Sequence, residues 1–571
     1  MSERSVYHTP LAAAVLALCV VLGGHGARAA NGLEDDPVAT EAKADSPFGA
    51  YLAGLYARAI GDSSSAAEFY AAAISADADP ELSRGAFRAL LAAGRIDDAI
   101  AQAKIVEDDA QGDGLAPLAI AIGAIRRGDF DEADRQLDTV PLSGMNVLLL
   151  PVAKAWVRVG QGRADQAIEA LDPLRRSEQS RAFRLFHEAL IYDLTEQREQ
   201  AEEAYRALVD DRATRSLRIV QAYGLFLMRA QRAEEARALL DEYLPPDVTS
   251  SALVEDARLS LEAEPPRPLV VSAAQGIAEA LHGAVRFMFQ NGDRESAAIY
   301  AQLALHLSPS LDVVRLLLGT LQESAQQWEA AIATYRQVDP ATPFGWNARL
   351  RIAASLRRLG KSSEAMALLR AMGDERVDRT DALIDLGDML RGEQRWREAV
   401  DAYTKAIDRS GPPSPSNWGY YYSRGIALER SKRWPEAERD FLQALELQPE
   451  QPQVLNYLGY SWVEQGLNLD RARGMLERAV DLRPRDGYII DSLGWVLYQL
   501  GDFDGAVENL ERAIGLQPSD PVINDHLGDA YWRVGRKREA RYQWERALIF
   551  DPEADVEKVI RRKLREGLQD I

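Results

Sequence analysis

Cysteine is almost missing: Cys19 is the single one among 571 residues, so the chain can form no internal disulfide and no Cys-ligated zinc site. Histidine is scarce as well. Six are present, and His8, His25, His187, His282, His306 and His526 stand far apart in sequence. No H-E-x-x-H, C-x-x-C, G-x-S-x-G or Walker loop occurs, which removes the common signatures of metalloproteases, redox dithiols, hydrolases and nucleotide triphosphatases. Carboxylate pairs are common, but at 27% charged residues they follow from composition and point to no reaction. The chain reads as non-enzymatic, with no catalytic, cofactor-binding or metal-binding residue. An enzyme reading would need a site dispersed over segments distant in sequence.

Positive charge is in deficit. Lys and Arg number 67 against 88 Asp and Glu, for a net charge of −21. A sequence-independent grip on nucleic acid or on anionic lipid needs the opposite balance. The local basic clusters, Arg536-Lys537-Arg538 and Arg561-Arg562-Lys563, read as solvated helix faces.

Long apolar runs are lacking too, and no stretch is long enough to span a bilayer. The one uninterrupted run, Leu11 to Leu22, follows Arg4 and precedes Ala27-Arg28-Ala29. That order predicts a secretory signal peptide over residues 1–29, cleaved before Ala30, and hence a periplasmic or otherwise exported protein. Cys19 follows Leu16-Ala17-Leu18, where lipoprotein processing wants small residues, and more apolar run follows it. Membrane attachment would require lipidation of Cys19 all the same. Cleavage removes the only cysteine and leaves a net charge of about −22.

What is abundant is repetition. Gly425, Gly459, Gly494 and Gly528 stand 34, 35 and 34 residues apart. Around them recur a Leu or Arg before the glycine, then an Ala, a large apolar residue, a second Ala and a Pro, as in Leu493, Gly494, Leu497, Ala506, Leu510, Ala513 and Pro518. This is the period and pattern of the tetratricopeptide (TPR) repeat. Its small residues let two helices approach closely, its large ones fill the seam, and the Pro ends the second helix. One pair cannot bury its own apolar face, so the pairs must stack into an all-α superhelical solenoid with a concave inner face.

Carried upstream, the register places the first Ala of the second helix at Ala66, Ala99, Ala133, Ala167, Ala201 and Ala236, in degenerate copies over residues 47–250. Ala replaces Leu, Tyr or Trp at many seams there. The smaller apolar area predicts weaker coupling between neighbours and a half that unfolds first. The register breaks over 251–277, a helix followed by Pro265, Pro266 and Pro268, read as a connector between two lobes. It resumes at Ala297, Ala331, Ala365, Ala399, Ala437, Ala472, Ala506 and Ala540, for about 14 repeats in all, the C-terminal lobe covering 278–552. Residues 30–46, polar and acidic, read as a disordered leader, and 553–571 as a capping helix.

Helix periodicity assigns the groove-facing positions of the first helix in each unit. In the last four units they hold Tyr422, then Asn456 and Tyr460, then Tyr488, Asp491, Trp495 and Tyr498, then Asp525, Asp529 and Trp532. Rings with a few Asp and Asn suit a protein partner held as an extended peptide or a helix. Trp418, Trp434, Trp462 and Trp544 are expected to pack between units instead. TPR domains that clamp acidic chaperone tails use Lys and Asn at these positions, and an acidic groove would repel such tails.

The segments Leu455-Asn456-Tyr457-Leu458-Gly459-Tyr460, Asp491-Ser492-Leu493-Gly494-Trp495 and Asn524-Asp525-His526-Leu527-Gly528-Asp529 resemble the C-terminal repeats of the periplasmic TPR adaptor lipoproteins that partner carboxyl-terminal processing proteases. The likeness is specific over 418–550 and departs at the N-terminus, where the lipoprotein cysteine is absent. It implies a scaffold that brings peptidoglycan hydrolases to a protease. A scaffold for outer-membrane or envelope polysaccharide assembly, with groove rings against glycan, is the alternative.

Overall fold

The computed structural model describes residues 46–74, 80–106, 114–244 and 252–568. The expected signal peptide over residues 1–29 and the expected leader up to residue 45 lie outside them. Among the described residues the chain is all helical, with 30 α-helices and no strand. Fourteen antiparallel pairs run from Pro47–Ala59 with Ser63–Ile74 to Pro521–Arg533 with Lys537–Ile549. Two helices stand outside the pairs: Ala252–Glu262 in the connector and Ala554–Glu566 at the C-terminal end. No described helix is long and apolar enough to cross a membrane.

The repeat pattern has a direct steric cause. A Cβ on Gly494 would lie 2.6 Å from Leu510 of the second helix, and one on Gly528 would lie 2.5 Å from the Trp544 ring. Gly425 meets Phe441 and Gly387 meets Tyr403 in the same way. Each pair is thus set by a glycine on one helix and a large side chain on the other. Helix starts are fixed locally: Asp486 accepts from the backbone N–H of Tyr488 and Ile489, and Asp520 does so for Val522 and Ile523. The turn inside a pair needs a left-handed residue, supplied by Gly501 at φ +83° and by Gly94, Gly128 and Gly162 in the N-terminal copies.

The apolar core does not divide at the Pro-rich connector. One cluster runs from Ala57 to Leu321 and a second from Ala331 to Ile560 that also takes in Ala252, with a small third around the helix Ala252–Glu262. The reason is a back-folding that the repeat register does not encode. The pair Ala273–Gln290 and Arg294–Leu307 begins the C-terminal superhelix, yet it packs against the first helices of the N-terminal units, Pro80–Ala92, Leu115–Arg126, Asn146–Gly160 and Arg181–Leu194. Those helices line the concave side of the N-terminal superhelix, so this hairpin fills that groove.

The contact is close and charged. Gly276 lets the Trp156 ring in so tightly that a Cβ there would lie 2.2 Å from it. Trp156 Nε1 donates to His187 Nδ1 at 3.1 Å, and burial depresses His187 to a pKa of about 4, keeping it neutral. Arg218 donates to both oxygens of Glu279, at 3.0 and 2.7 Å. Burial alone would raise the Glu279 pKa, but Arg218 and His282 hold it well below the usual range. Removing one partner of such a buried pair strands a charge, at about 3–5 kcal/mol. At the other end Glu295 accepts from Arg58 at 3.0 Å and Arg88 at 3.3 Å, and Arg126 meets His306 at 2.7 Å. Coupling in this half is therefore not only between neighbours in sequence, and the Ala-rich seams understate what holds it.

Gly276→Ala tests the interlock. In an open helix this change stabilises by about 0.5–1 kcal/mol; against Trp156 overpacking costs about 1–3 kcal/mol. We expect net destabilisation, with amide protection in hydrogen exchange falling together in Ala273–Gln290 and Asn146–Gly160. Loss confined to the first of these helices would show that the hairpin does not hold the N-terminal groove.

Candidate functional site

With the N-terminal groove filled, the concave face left for a ligand is that of the C-terminal lobe. It is lined by Trp418–Arg430, Pro452–Glu464, Gly487–Gln499 and Pro521–Arg533, the first helices of the last four units. In the first of these Tyr422 is half-buried in an aromatic group, its ring 6.1 Å from each of Trp418, Phe441 and Tyr457. Tyr457 OH donates to Glu429 at 3.1 Å. In the next helix Tyr460 is half-buried, and Asn456 Oδ1 is buried without a hydrogen-bond partner among the described residues. Burial, then the charges of Glu464 and Asp491, raise the Tyr460 phenol above its ordinary pKa.

The third helix carries the most open rings. Tyr488 is 55% exposed. Trp495 stacks on Tyr498 with centroids 4.9 Å apart and on His526 at 4.1 Å, and its Nε1 donates to Glu464 at 2.8 Å. The indole is thereby fixed with one edge toward a carboxylate. Tyr498 and Asp491 lie behind it, both buried. Tyr498 accepts from Arg533, and Asp491 pairs with His526 Nδ1 at 3.0 Å.

The last unit departs from the sequence-based expectation. Asp525, Asp529 and Trp532 are not presented to a ligand, because the terminal helix Ala554–Glu566 folds across them. Lys563 Nζ donates to Asp525 at 2.8 Å and to Asp529 at 2.7 Å, and Trp544 Nε1 donates to Asp529 at 2.9 Å. Trp532 packs on Trp544 at 5.3 Å with Gly567 against its ring. The basic run containing Lys563 is thus not simply a solvated face: its third residue is an internal counter-ion. Trp462 and Trp544 are 1% and 0% exposed in the seams, while Trp418 and Trp434 are half-buried. Sequence reasoning missed His526, Glu464 and Lys563; an apolar-spaced Lys on an amphipathic terminal helix was the available signal for the last.

Helix pairs of this shape, period and inner face define a TPR solenoid. Family models described as tetratricopeptide or TPR repeats match residues 384–452, 433–487 and 494–535. The TPR repeat-containing protein PA4667 of Pseudomonas aeruginosa is 26% identical over 197 residues, which is 34% of this chain and 32% of that protein. The chain therefore spans about a third of the curated relative it matches. Among solved structures, a chain of the APC/C hetero-tetramer Cut9-Hcn1 is similar over 92% of this chain and 97% of its own, at 13% identity and a TM-score of 0.38. A TPR protein from Parabacteroides merdae is similar over 51% and 99%, at 15% identity and a TM-score of 0.34. Proteins of this class bind protein partners or peptides, and no match indicates a catalytic family. Among the described residues no group of three His, Cys, Asp or Glu could hold a metal ion.

The cap titrates. Burial alone would lower the His526 pKa, but Asp491, with Asp525 and Asp529 behind it, outweighs burial and raises it. Asp529 is pushed up to about 6, chiefly by burial and by Asp525, against the pull of Lys563. Lys563 itself is raised, its two carboxylates outweighing its burial. Both His526 and Asp529 bind protons more tightly folded than unfolded, so stability here falls as pH rises. Asp529 acts below about 6, and His526 acts from the ordinary histidine value of about 6.5 upward. We expect local opening of residues 521–566, measured by hydrogen exchange corrected for intrinsic rates, to be easier at pH 8 than at pH 6. His526→Gln should abolish that difference; a slope that persists in the variant would assign it to other groups.

Proposed function

We propose that this chain is an exported TPR scaffold that holds a protein partner, as an extended segment or a helix, on the concave face of its C-terminal lobe. The observation that carries the reading is the placement of Tyr460, Tyr488 and Trp495 on adjoining inner helices, in the lobe whose groove no described segment of the chain fills. Rigid rings supply contact area at low entropy cost. The partner is not a carboxylate-rich tail. Glu429 and Glu464 face the groove, and Asp385, further along, has its pKa raised to about 6 by burial and by the like charges of Asp388 and Asp381.

Export rests on the apolar run Leu11 to Leu22 and the Ala27-Arg28-Ala29 site. The adaptor role, delivery of substrates to a periplasmic processing protease, rests on the resemblance of the last repeats. The test is capture from envelope extract by the chain beginning at Ala30, with bound proteins identified by mass spectrometry. A processing protease or cell-wall hydrolase is the expected catch; recovery of polysaccharide-export machinery or glycan alone would favour the alternative scaffold. Tyr488→Ala with Trp495→Ala should lower retention about tenfold or more with helicity unchanged. Equal retention would remove the groove assignment.

A further inference from the structure

The first described helix, Pro47–Ala59, leaves a large apolar face uncovered. Phe48, Leu52, Leu55, Tyr56 and Ile60 are 69%, 49%, 39%, 67% and 50% exposed. Their spacing places them on one stripe of the helix. None of the five joins the apolar cluster of the N-terminal lobe, although Ala50, Gly54 and Ala57 on the opposite side are buried against the second helix of the pair.

Comparison with later units shows what is missing. Leu52 stands two residues before the pair's glycine, Gly54. At the same place before Gly459 stands Tyr457, whose ring meets Phe441 of the preceding pair at 5.2 Å; before Gly528 stands His526, stacked on Trp495 of the preceding pair at 4.1 Å. Two residues after the glycine, Val496 and Ala530 are 0% exposed, whereas Tyr56 is open. The stripe is therefore the seam by which a unit receives the pair before it, and no described pair precedes this one.

We propose that this seam is an interface between two copies of the chain, related by a two-fold axis through the helices Pro47–Ala59. Charge favours a second copy here. Two chains of net charge −21 repel over most of their surfaces, but from Pro47 to Gly61 the only charged residue is Arg58, which is engaged by Glu295. An isologous contact between two such faces brings no acid against acid. The area agrees: the exposed parts of the five side chains sum to roughly 500 Å² per copy, hence ~1,000 Å² across the axis, at the lower limit of specific interfaces. In a chain cut before Ala30, the 17 residues ahead of the helix carry Glu34, Asp35, Asp36, Glu41 and Asp45 and only Leu33 and Val38 as large apolar groups, a composition poorly matched to the stripe.

The experiment compares the chain beginning at Ala30 with the full chain by sedimentation equilibrium. The chain beginning at Ala30 should dimerise at roughly 10–100 µM. Leu52→Glu with Tyr56→Glu should be monomeric there with an unchanged far-ultraviolet spectrum. Because that chain has no cysteine, Tyr56→Cys supplies an independent readout: mild oxidation should link it into covalent dimers, while Tyr542→Cys, 58% exposed at the far end of the solenoid, should stay monomeric. A monomer at 100 µM with no selective crosslinking would overturn the proposal. So would a monomeric full chain in which removal of residues 1–29 only uncovers the stripe to hydrogen exchange, because the apolar run Leu11 to Leu22 would then be the occupant.

Discussion

A single helix pair has two sides and can bury only one against itself. Every larger feature of this molecule follows from where the second side goes. Within a pair the first side is closed by the fit of a glycine on one helix and Phe, Tyr, Leu or Trp on its mate, as at Gly425 and Phe441 or Gly528 and Trp544; in the interior of each superhelix the second side goes against the next pair, as where Tyr457 meets Phe441 and His526 stacks on Trp495. The fit is steric and short-ranged, so the period is kept wherever those two residue types are kept. Where large side chains give way to Ala, as in the N-terminal units, apolar area must be found elsewhere.

It is found in the chain's own hairpin. Residues 273–307 lie in the concave face of the first superhelix, bringing Ile277, Leu281, Val285 and Ile299 into one apolar cluster with Leu118, Ile122 and Trp156. The ion pairs around this hairpin, Arg218 with Glu279 and Arg58 with Glu295, lie at different depths. The first is nearly dry, so it acts as a registration device whose rupture strands a charge; the second is solvated and contributes little to stability. The consequence for function is a division of labour between two similar grooves: among the described residues one holds the chain's own hairpin and the other holds none of it.

The free groove is closed at its end in a related way. Lys563 from the terminal helix takes the two inner carboxylates of the last unit, Asp525 and Asp529, and the Trp495–His526 stack continues the layer above. What remains open is a short tract of Tyr460, Tyr488 and Trp495 beside Glu464, mixed in chemistry and suited to a strand or one face of a helix. Fixing the Trp495 indole by a stack and a carboxylate hydrogen bond keeps its rotamer set before any ligand arrives, which lowers the entropy cost of recognition.

Local chemistry repeated at a fixed interval was enough to determine the all-helical class, the 34-residue period, the number of pairs and the places where large rings meet glycines, because those depend on contacts within a pair and between neighbours. Periodicity also placed Trp462 and Trp544 in the seams, where they are 1% and 0% exposed, but it grouped Trp532, packed on Trp544, with Trp495. Only the tertiary structure decided which inner faces are empty. That the hairpin 273–307 returns to the N-terminal groove, and that Lys563 lies on Asp525 and Asp529, are contacts between segments far apart in sequence, with Arg126 and His306 separated by 180 residues. A repeat pattern fixes what each helix does with its neighbour; it carries no term for a distant element that fits the groove the repeats create.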